Sequence, residues 1–225
     1  MNPPFRRYAI TDRLQISRSE ENLPHRDSAA AQLAGLLRQA QQLASEGVDY
    51  LQLREKDLPA GEVAALARSL LDVLGGSKTK LLLNARADIA VATAAHGVHL
   101  TAAPDELSPR QIHDLYAAAH LPAPIVTISC HTLDDVTRHR LEPVTALLFG
   151  PVYEKVLSPA SPTGATRIEG TGLDSMRQAC EAAAPIPVFA LGGITSQHIA
   201  DCIRAGAKGI AGIRLFNQPR RDGFI

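Results

Sequence analysis

The stretch "DYLQLREKDLPAGEVAALARSLLDVLGGSKTKLLLN" (residues 49–84) contains one complete strand–helix–strand pattern. Its two ends, 49–53 and 80–84, are short runs with the length and apolar content of strands. Between them, 59–76 carries Ala and Leu at three- to four-residue spacing, with Pro near its start and paired Gly at its end, which predicts a helix. Strands joined by a helical crossover pair in parallel, so this stretch predicts a parallel sheet.

The same alternation runs along the chain of 225 residues, with a second helical pattern at 29–47. The candidate strands are 7–11, 49–53, 80–84, 97–100, 125–129, 146–150, 187–191 and 209–213. Eight strands alternating with helices predict an α/β fold, a single (β/α)8 TIM barrel domain covering 1–225. An open doubly wound sheet is the alternative, but its glycine-rich turn is missing from "YAITDRLQ" (8–15).

Two segments depart from the barrel pattern. Residues 12–28 are polar and predict a long first loop on the barrel's top. After the eighth strand only "RLFNQPRRDGFI" (214–225) remains, so the closing helix is expected to be absent, truncated or replaced. The wall left uncovered could serve as a homodimer surface, or a rearranged N-terminal segment could shield it.

Composition excludes several classes of function. The chain has 23 basic and 23 acidic residues and only 4% aromatics, which argues against nucleic-acid binding and against recruitment to an anionic membrane. No signal-peptide core and no apolar run long enough to span a membrane are visible. Three scattered cysteines without a CxxC pair predict neither a zinc site nor a disulfide framework. We expect a soluble protein in the reducing cytoplasm.

Charge at the end of the second strand predicts an anion site. In "QLREK" (52–56), Gln52, Arg54 and Lys56 alternate, so a strand continuing through them would project all three to one side. At a barrel mouth, Arg supplies a bidentate fork and Lys a compact charge for an anion. The alternative is a salt-bridged loop formed with Glu55 and Asp57.

A glycine pair predicts a phosphate site. Gly192 and Gly193 follow the seventh strand and precede a helix, where backbone N–H groups can approach a phosphate. Ile213 and Arg214, at the end of the eighth strand, would form the other wall. The alternative for the glycines is a tight turn.

Taken together, the motifs at these strand ends resemble the thiamine phosphate synthase/TenI family, from "YAITDR" (8–13) to "GIAGIRLF" (209–216). The matching pieces are "QLREK" (52–56), "NARADIA" (84–90), "GVHL" (97–100), "SCH" (129–131), "LFGPVYE" (148–154), "GTGL" (170–173), "PVFALGGIT" (187–195) and "AGAKGIAGI" (205–213). The resemblance implies a phosphorylated hydroxyethylthiazole as ligand and, in a synthase, the pyrophosphate of hydroxymethylpyrimidine on the basic residues of "QLREK". It implies substrate contacts from Gln52, Arg54, Lys56, Asn84, His99, Lys155 and Gly172, and catalytic roles for His131, Lys56 and Ser129.

Departures from the family pattern bear on the activity. Ala85 stands where synthases carry a metal-binding Asp, and Asp105 could replace a second metal ligand only if its loop folds back. The Thr-rich motif that closes over pyrophosphate in synthases is absent from 154–172, where Lys155, Thr166 or Arg167 could substitute. We therefore expect Mg²⁺ only if the chain is a synthase.

The tautomerase branch of the family also loses a residue here. In tautomerases an acid/base His directly follows the sixth strand, and Pro151 occupies that position here. His131 or His99 would then have to transfer the proton. The alternative is that both histidines are structural. Arg214 replaces a usual Ser and could bind the phosphate or exclude it. Cys130, expected to face outward, is a poor nucleophile.

Three hypotheses follow from the sequence. The favoured one is a TenI-like thiazole tautomerase or a divergent relative, because the metal and pyrophosphate residues are altered. The alternative is a thiamine phosphate synthase, and the second alternative is a non-catalytic sensor of a phosphorylated ligand.

Overall fold

Eight short parallel strands close into a barrel, and helices cover its outer face. The structure is a computed structural model that describes residues 5–19, 28–101, 103–157 and 166–217. The eight barrel strands are β1 (Arg6–Ile10), β2 (Tyr50–Leu53), β3 (Lys80–Asn84), β4 (Gly97–Leu100), β5 (Ile125–Cys130), β6 (Ala146–Phe149), β9 (Val188–Leu191) and β10 (Gly209–Gly212). Two further strands, β7 (Lys155–Leu157) and β8 (Thr166–Ile168), form a separate two-stranded sheet. The order around the barrel is β1-β10-β9-β6-β5-β4-β3-β2, which confirms the predicted fold.

The helices are α1 (Arg13–Ser19), α2 (Ala29–Ser45), α3 (Ala60–Leu74), α4 (Ala87–Ala92), α5 (Pro109–Ala118), α6 (Leu133–His139), α7 (Gly172–Ala183), α8 (Ile199–Arg204) and α9 (Arg214–Asn217). Several begin at side-chain caps that the sequence encodes. Ser108 and Thr132, for example, each accept a backbone N–H three residues ahead in a capping box. Within the described ranges, no helix combines the length and apolar character needed to cross a membrane.

Alternation along the strands divides the core into two layers. Tyr8, Leu82, Leu148 and Phe189 are among the side chains that fill the barrel interior. The neighbouring positions point outward and pack under the helices in a much larger apolar layer. Since parallel strands all run the same way, their carboxyl ends meet at one mouth, where the predicted functional residues lie.

The predicted first loop is wrong in its first half. Residues 13–19 form α1, which packs against α2 and α9 and buries Ile16. On the same side, Gln39 of α2 donates a hydrogen bond to the Phe216 carbonyl at the end of α9. Within the described residues the closing helix is α9, four residues long, and the N-terminal segment shields the wall beside it. Residues 20–27 and 218–225 lie outside the described ranges, and the homodimer stays a prediction.

The long segment after β6 contains a hairpin that the sequence did not predict. β7 pairs antiparallel with β8, and Lys155 lies opposite Ile168. The hairpin is separate from the barrel sheet. Residues 158–165, which connect the two strands, lie outside the described part of the chain. The pairing gives Lys155 a fixed backbone position.

Candidate active site

A buried amide pair lies at the barrel mouth. Gln52, at the end of β2, is 1% exposed and donates from Nε2 to Oδ1 of Asn84 at the end of β3, over 2.7 Å. Within the described ranges no donor reaches the Oε1 atom of Gln52. A buried acceptor without a partner is unfavourable in the free protein, so this oxygen is well suited to receive a hydrogen bond from a ligand.

The strand ends at Leu53, so the predicted alternation through Lys56 is wrong. Lys56 lies exposed in the turn that follows. Arg54, one residue beyond the strand, is half-buried, and its backbone N–H donates to Oγ1 of Thr11 over 2.9 Å. Of the predicted trio, Gln52 lies within β2, Arg54 directly follows it, and Lys56 lies in the exposed turn beyond.

Both acidic residues of this stretch are paired with Arg13, at the start of α1. The Arg13 guanidinium donates to Glu55 over 2.9 Å and to the two carboxylate oxygens of Asp57 over 2.7 and 2.6 Å. Burial raises the pKa of Glu55 despite these contacts, while the Arg13 hydrogen bond lowers the pKa of Asp57. The salt-bridged loop exists, but its cation comes from α1, and it leaves Arg54 available at the mouth.

Arg54 and Lys155 are two cations that influence each other electrostatically. Burial lowers the pKa of Lys155, and the nearby charge of Arg54 lowers this pKa further. Among the residues that the structure describes, no carboxylate forms an ion pair with either side chain. Two neighbouring cations without a counter-ion repel each other, so this arrangement favours a bound anion.

His99 is held between two hydroxyl groups inside the barrel. Its Nδ1 lies 2.9 Å from Thr127 Oγ1 and its Nε2 lies 3.1 Å from Ser129 Oγ. Thr127 in turn lies 3.1 Å from the hydroxyl of Tyr8. Burial, with a smaller contribution from the charge of Arg54, lowers the pKa of His99 to about 3. The imidazole is therefore neutral near pH 7, with both nitrogens occupied, as expected for a structural histidine.

His131 lies beyond the end of β5 and is exposed. Its Nδ1 donates to the Gly150 carbonyl at the end of β6, and its backbone N–H donates to Asp135. This contact leaves Nε2 as the ring nitrogen that is not bound to Gly150. Next to it, Cys130 faces the helix layer as expected, and burial raises the pKa of its thiol to about 12, which excludes a reactive thiolate.

The glycine pair is required by local packing. Gly192 and Gly193 have φ values of +91° and +66°, which favour glycine. A Cβ on Gly193 would lie 2.4 Å from the Glu154 carbonyl oxygen, and one on Gly192 would lie 2.6 Å from Pro151 Cβ. The tight-turn alternative thus accounts for both glycines without a ligand, and their phosphate role stays a prediction.

The other predicted phosphate and substrate residues lie around the same mouth. Ile213 follows β10, and Arg214 is the exposed first residue of α9. Gly172 begins α7 and donates its N–H to the Val152 carbonyl over 3.0 Å, so this donor is already used.

The metal ligands expected of a synthase are not assembled. Ala85 has φ +55° and no ligand atom, and Asp105 is exposed. It is Glu106 that folds back, accepting hydrogen bonds from the N–H and hydroxyl of Thr101 over 2.6 and 2.7 Å. Over the described part of the chain, no three His, Cys, Asp or Glu side chains gather as a metal site. The described residues therefore form no preassembled all-protein site for Mg²⁺.

Sequence reasoning missed the supporting residues Tyr8, Thr11, Arg13 and Thr127. The sequence contained a weak indication for two of them. Tyr8 and Thr127 are polar residues at inward positions of apolar strands, where a buried polar group needs a hydrogen-bond partner. Arg13 carried no comparable signal, because its partners are 42 and 44 residues away.

Comparisons with known proteins agree with this architecture. The sequence model of the family TMP-TENI, "Thiamine monophosphate synthase", matches residues 26–216. The "Putative thiamine-phosphate synthase 2" of Aquifex aeolicus is 33% identical over 211 residues, covering 94% of this chain and 97% of that protein. The "Thiamine-phosphate synthase" of Koribacter versatilis is 34% identical over 190 residues, covering 84% and 83%. A solved thiamine phosphate pyrophosphorylase from Pyrococcus furiosus superposes with a TM-score of 0.68 at 23% identity, covering 93% of this chain and 86% of that one, which supports the barrel fold.

Proposed function

The chain belongs to the thiamine monophosphate synthase family, and from this premise we propose that it is a thiamine phosphate synthase. It would join hydroxymethylpyrimidine pyrophosphate to hydroxyethylthiazole phosphate. The observation that carries the proposal is the pair of cations, Arg54 and Lys155, with no carboxylate partner among the described residues. The names of the relatives support the same assignment, which is the alternative to the tautomerase favoured from the sequence.

The chemistry of the reaction explains the use of two cations. The bond between the pyrimidine methylene carbon and a pyrophosphate oxygen breaks, and its electron pair leaves with the pyrophosphate. The thiazole nitrogen then forms the new carbon–nitrogen bond. Because negative charge increases on the departing group, donors fixed beside it lower the barrier more than they stabilise the bound substrate. Arg54 and Lys155 would supply this stabilisation.

The protein cations matter more here because the metal ligands are not assembled. Ala85 offers no ligand atom, and the Glu106 carboxylate is engaged by Thr101. A pyrophosphate on this barrel would depend on Arg54 and Lys155 for its neutralisation. The phosphate of the thiazole is assigned to Gly192, Gly193, Ile213 and Arg214, an assignment that rests on their position at the mouth and on the family resemblance.

The tautomerase hypothesis has less support. Pro151 occupies the position of the usual acid/base residue, and His99 has both ring nitrogens occupied and a pKa lowered to about 3 by burial. His131 lies exposed beside Gly150, with Nδ1 engaged by the Gly150 carbonyl. We also assign the protein to the reducing cytoplasm, since Cys130, Cys180 and Cys202 are all free thiols.

The test is formation of thiamine phosphate from the two substrates in the presence of Mg²⁺, with Arg54→Ala and Lys155→Ala as variants. We expect each variant to lose about 100-fold in kcat/KM, as removal of a donor to developing charge does. Arg177→Ala is the matched control, because Arg177 lies on α7, is 54% exposed and is paired with Asp174. Its activity should remain within about twofold of the wild type.

Other results would overturn the assignment in distinct ways. Conversion of the thiazole carboxylate phosphate to its aromatic isomer, without thiamine phosphate, would identify a tautomerase. Binding of thiazole phosphate by the folded protein without either reaction would identify a sensor. Thiamine phosphate formation unaffected by Arg54→Ala and Lys155→Ala would retain the synthase but exclude the role given to the cations.

A further inference from the structure

Four polar side chains form a continuous hydrogen-bonded chain inside the barrel, from Tyr8 through Thr127 and His99 to Ser129. The three successive distances are 3.1, 2.9 and 3.1 Å. Tyr8 and Thr127 are 0% exposed, His99 is 4% exposed and Ser129 is 8% exposed. We call this set the Tyr8 relay. Ser129 is its outer end, at the carboxyl end of β5.

The direction of these hydrogen bonds is set by the number of protons available. A neutral imidazole has one N–H, and each hydroxyl has one O–H. If Nε2 of His99 carries the proton, Tyr8 donates to Thr127, Thr127 donates to Nδ1, and Nε2 donates to Ser129. Every buried donor then has an acceptor, and the Ser129 proton is left to point toward the mouth.

The opposite direction leaves a buried donor without a partner. If Nδ1 carries the proton, it donates to Thr127 and Ser129 donates to Nε2. Either Tyr8 or Thr127 then has an O–H with no acceptor among the contacts that the structure describes. A buried donor of this kind is unfavourable enough to shift the tautomer ratio by about tenfold or more toward the Nε2–H form.

We propose that His99 is a positioning residue, which holds the Ser129 hydroxyl as a hydrogen-bond donor directed into the barrel mouth. The ligand group beside Ser129 is therefore an acceptor, such as a ring nitrogen or an anionic oxygen. The identity of that ligand rests on the proposed function, whereas the direction of the Tyr8 relay does not. The low pKa of His99 agrees with the neutral imidazole that the relay requires.

The first test observes the tautomer directly in the full-length protein. Long-range proton–nitrogen correlation spectra of the ¹⁵N-labelled chain, with His99→Gln to assign the signal, report which ring nitrogen carries the proton. We expect a neutral His99 protonated on Nε2 near pH 7. A ring protonated on Nδ1, or on both nitrogens, would overturn the proposal.

The second test compares two substitutions of the same residue. His99→Gln places an amide that can donate to Ser129 as Nε2–H does, whereas His99→Leu removes the donor. We expect kcat/KM for thiamine phosphate formation to fall about tenfold or more in His99→Leu and to stay within about threefold of wild type in His99→Gln. Equal losses in two folded variants would refute the positioning role. Should the chain form no thiamine phosphate, or His99→Leu fail to fold, the nitrogen spectrum still decides the direction of the relay.

Discussion

Replacing Arg13 by Gln should destabilise the fold and loosen the turn that carries Arg54. The Arg13 and Glu55 side chains are 9% and 3% exposed and form an ion pair at 2.9 Å. Without the guanidinium, a buried carboxylate remains with only the hydroxyl of Thr11 and the N–H of residue 13. Removal of one partner of a buried ion pair costs about 3–5 kcal/mol, and we expect a loss of this size in the free energy of unfolding.

The contribution of Asp57 is much smaller. Its side chain is 58% exposed, so its ion pair with Arg13 is screened by water and contributes about 0–1 kcal/mol. Most of the unfolding free energy lost in Arg13→Gln should therefore be recovered when Glu55 is also replaced by neutral Gln. We expect the double variant Arg13→Gln with Glu55→Gln to be only about 1–2 kcal/mol less stable than the wild type, because no charge is left buried.

Urea unfolding followed by circular dichroism measures both variants. Arg86→Gln is the matched control, since the Arg86–Asp88 pair is 38% and 64% exposed and should contribute less than about 1 kcal/mol. Synthase activity measured well below the unfolding midpoint should also fall in Arg13→Gln, because Arg54 follows the displaced turn. A loss of stability no larger than that of the control would refute the idea that the buried pair anchors this turn.

Three further predictions concern stability. The folded-state pKa of His99 is lowered to about 3 from an ordinary value of 6.5, so the unfolded chain binds the proton first. The free energy of unfolding should therefore decrease as the pH falls below about 6.5, by up to about 1.4 kcal/mol per pH unit. Urea titrations at several pH values measure this pH dependence, which His99→Gln should make weaker. Ala85→Gly should raise the free energy of unfolding by about 0.5–1 kcal/mol, because the exposed Ala85 has φ +55°, and a lower value than wild type would contradict this. Gly193→Ala should lower the melting temperature far more than Gly76→Ala: both have positive φ, but a Cβ meets backbone oxygens at 2.4 and 2.5 Å in the first and nothing within 4 Å in the second.

The barrel was predictable because strand and helix periods alternate regularly in the sequence. For β3 and β4 the predicted and observed bounds coincide at 80–84 and 97–100. Two elements were missed where this signal is weak. α1 is a short polar helix stabilised by contacts with α2 and α9, and β7 and β8 are three residues each. Strands and helices of this length form through tertiary contacts more than through local preference.

The candidate site was predictable only as far as strand ends determine positions. Gln52 and Asn84 meet at the mouth because neighbouring parallel strands end at the same edge, which is the part of the site that strand order determines. The position of Lys56 could not be derived in this way, because it follows the predicted strand end and lies exposed in the turn after β2. The Tyr8–Thr127 contact joins residues 119 positions apart, and no local pattern indicates which inward polar residues will meet across a barrel.

The seam of the barrel joins strands from opposite ends of the sequence. Arg6 of β1 pairs with Gly209 of β10, so this contact closes a loop of about 200 residues. During synthesis on the ribosome, β1 emerges long before its partner β10. Until β10 is available, the sheet has two open edges that can pair with other chains. Folding of this protein is therefore completed by its last strand, and a nascent chain stopped before β10 would expose the edge of β1.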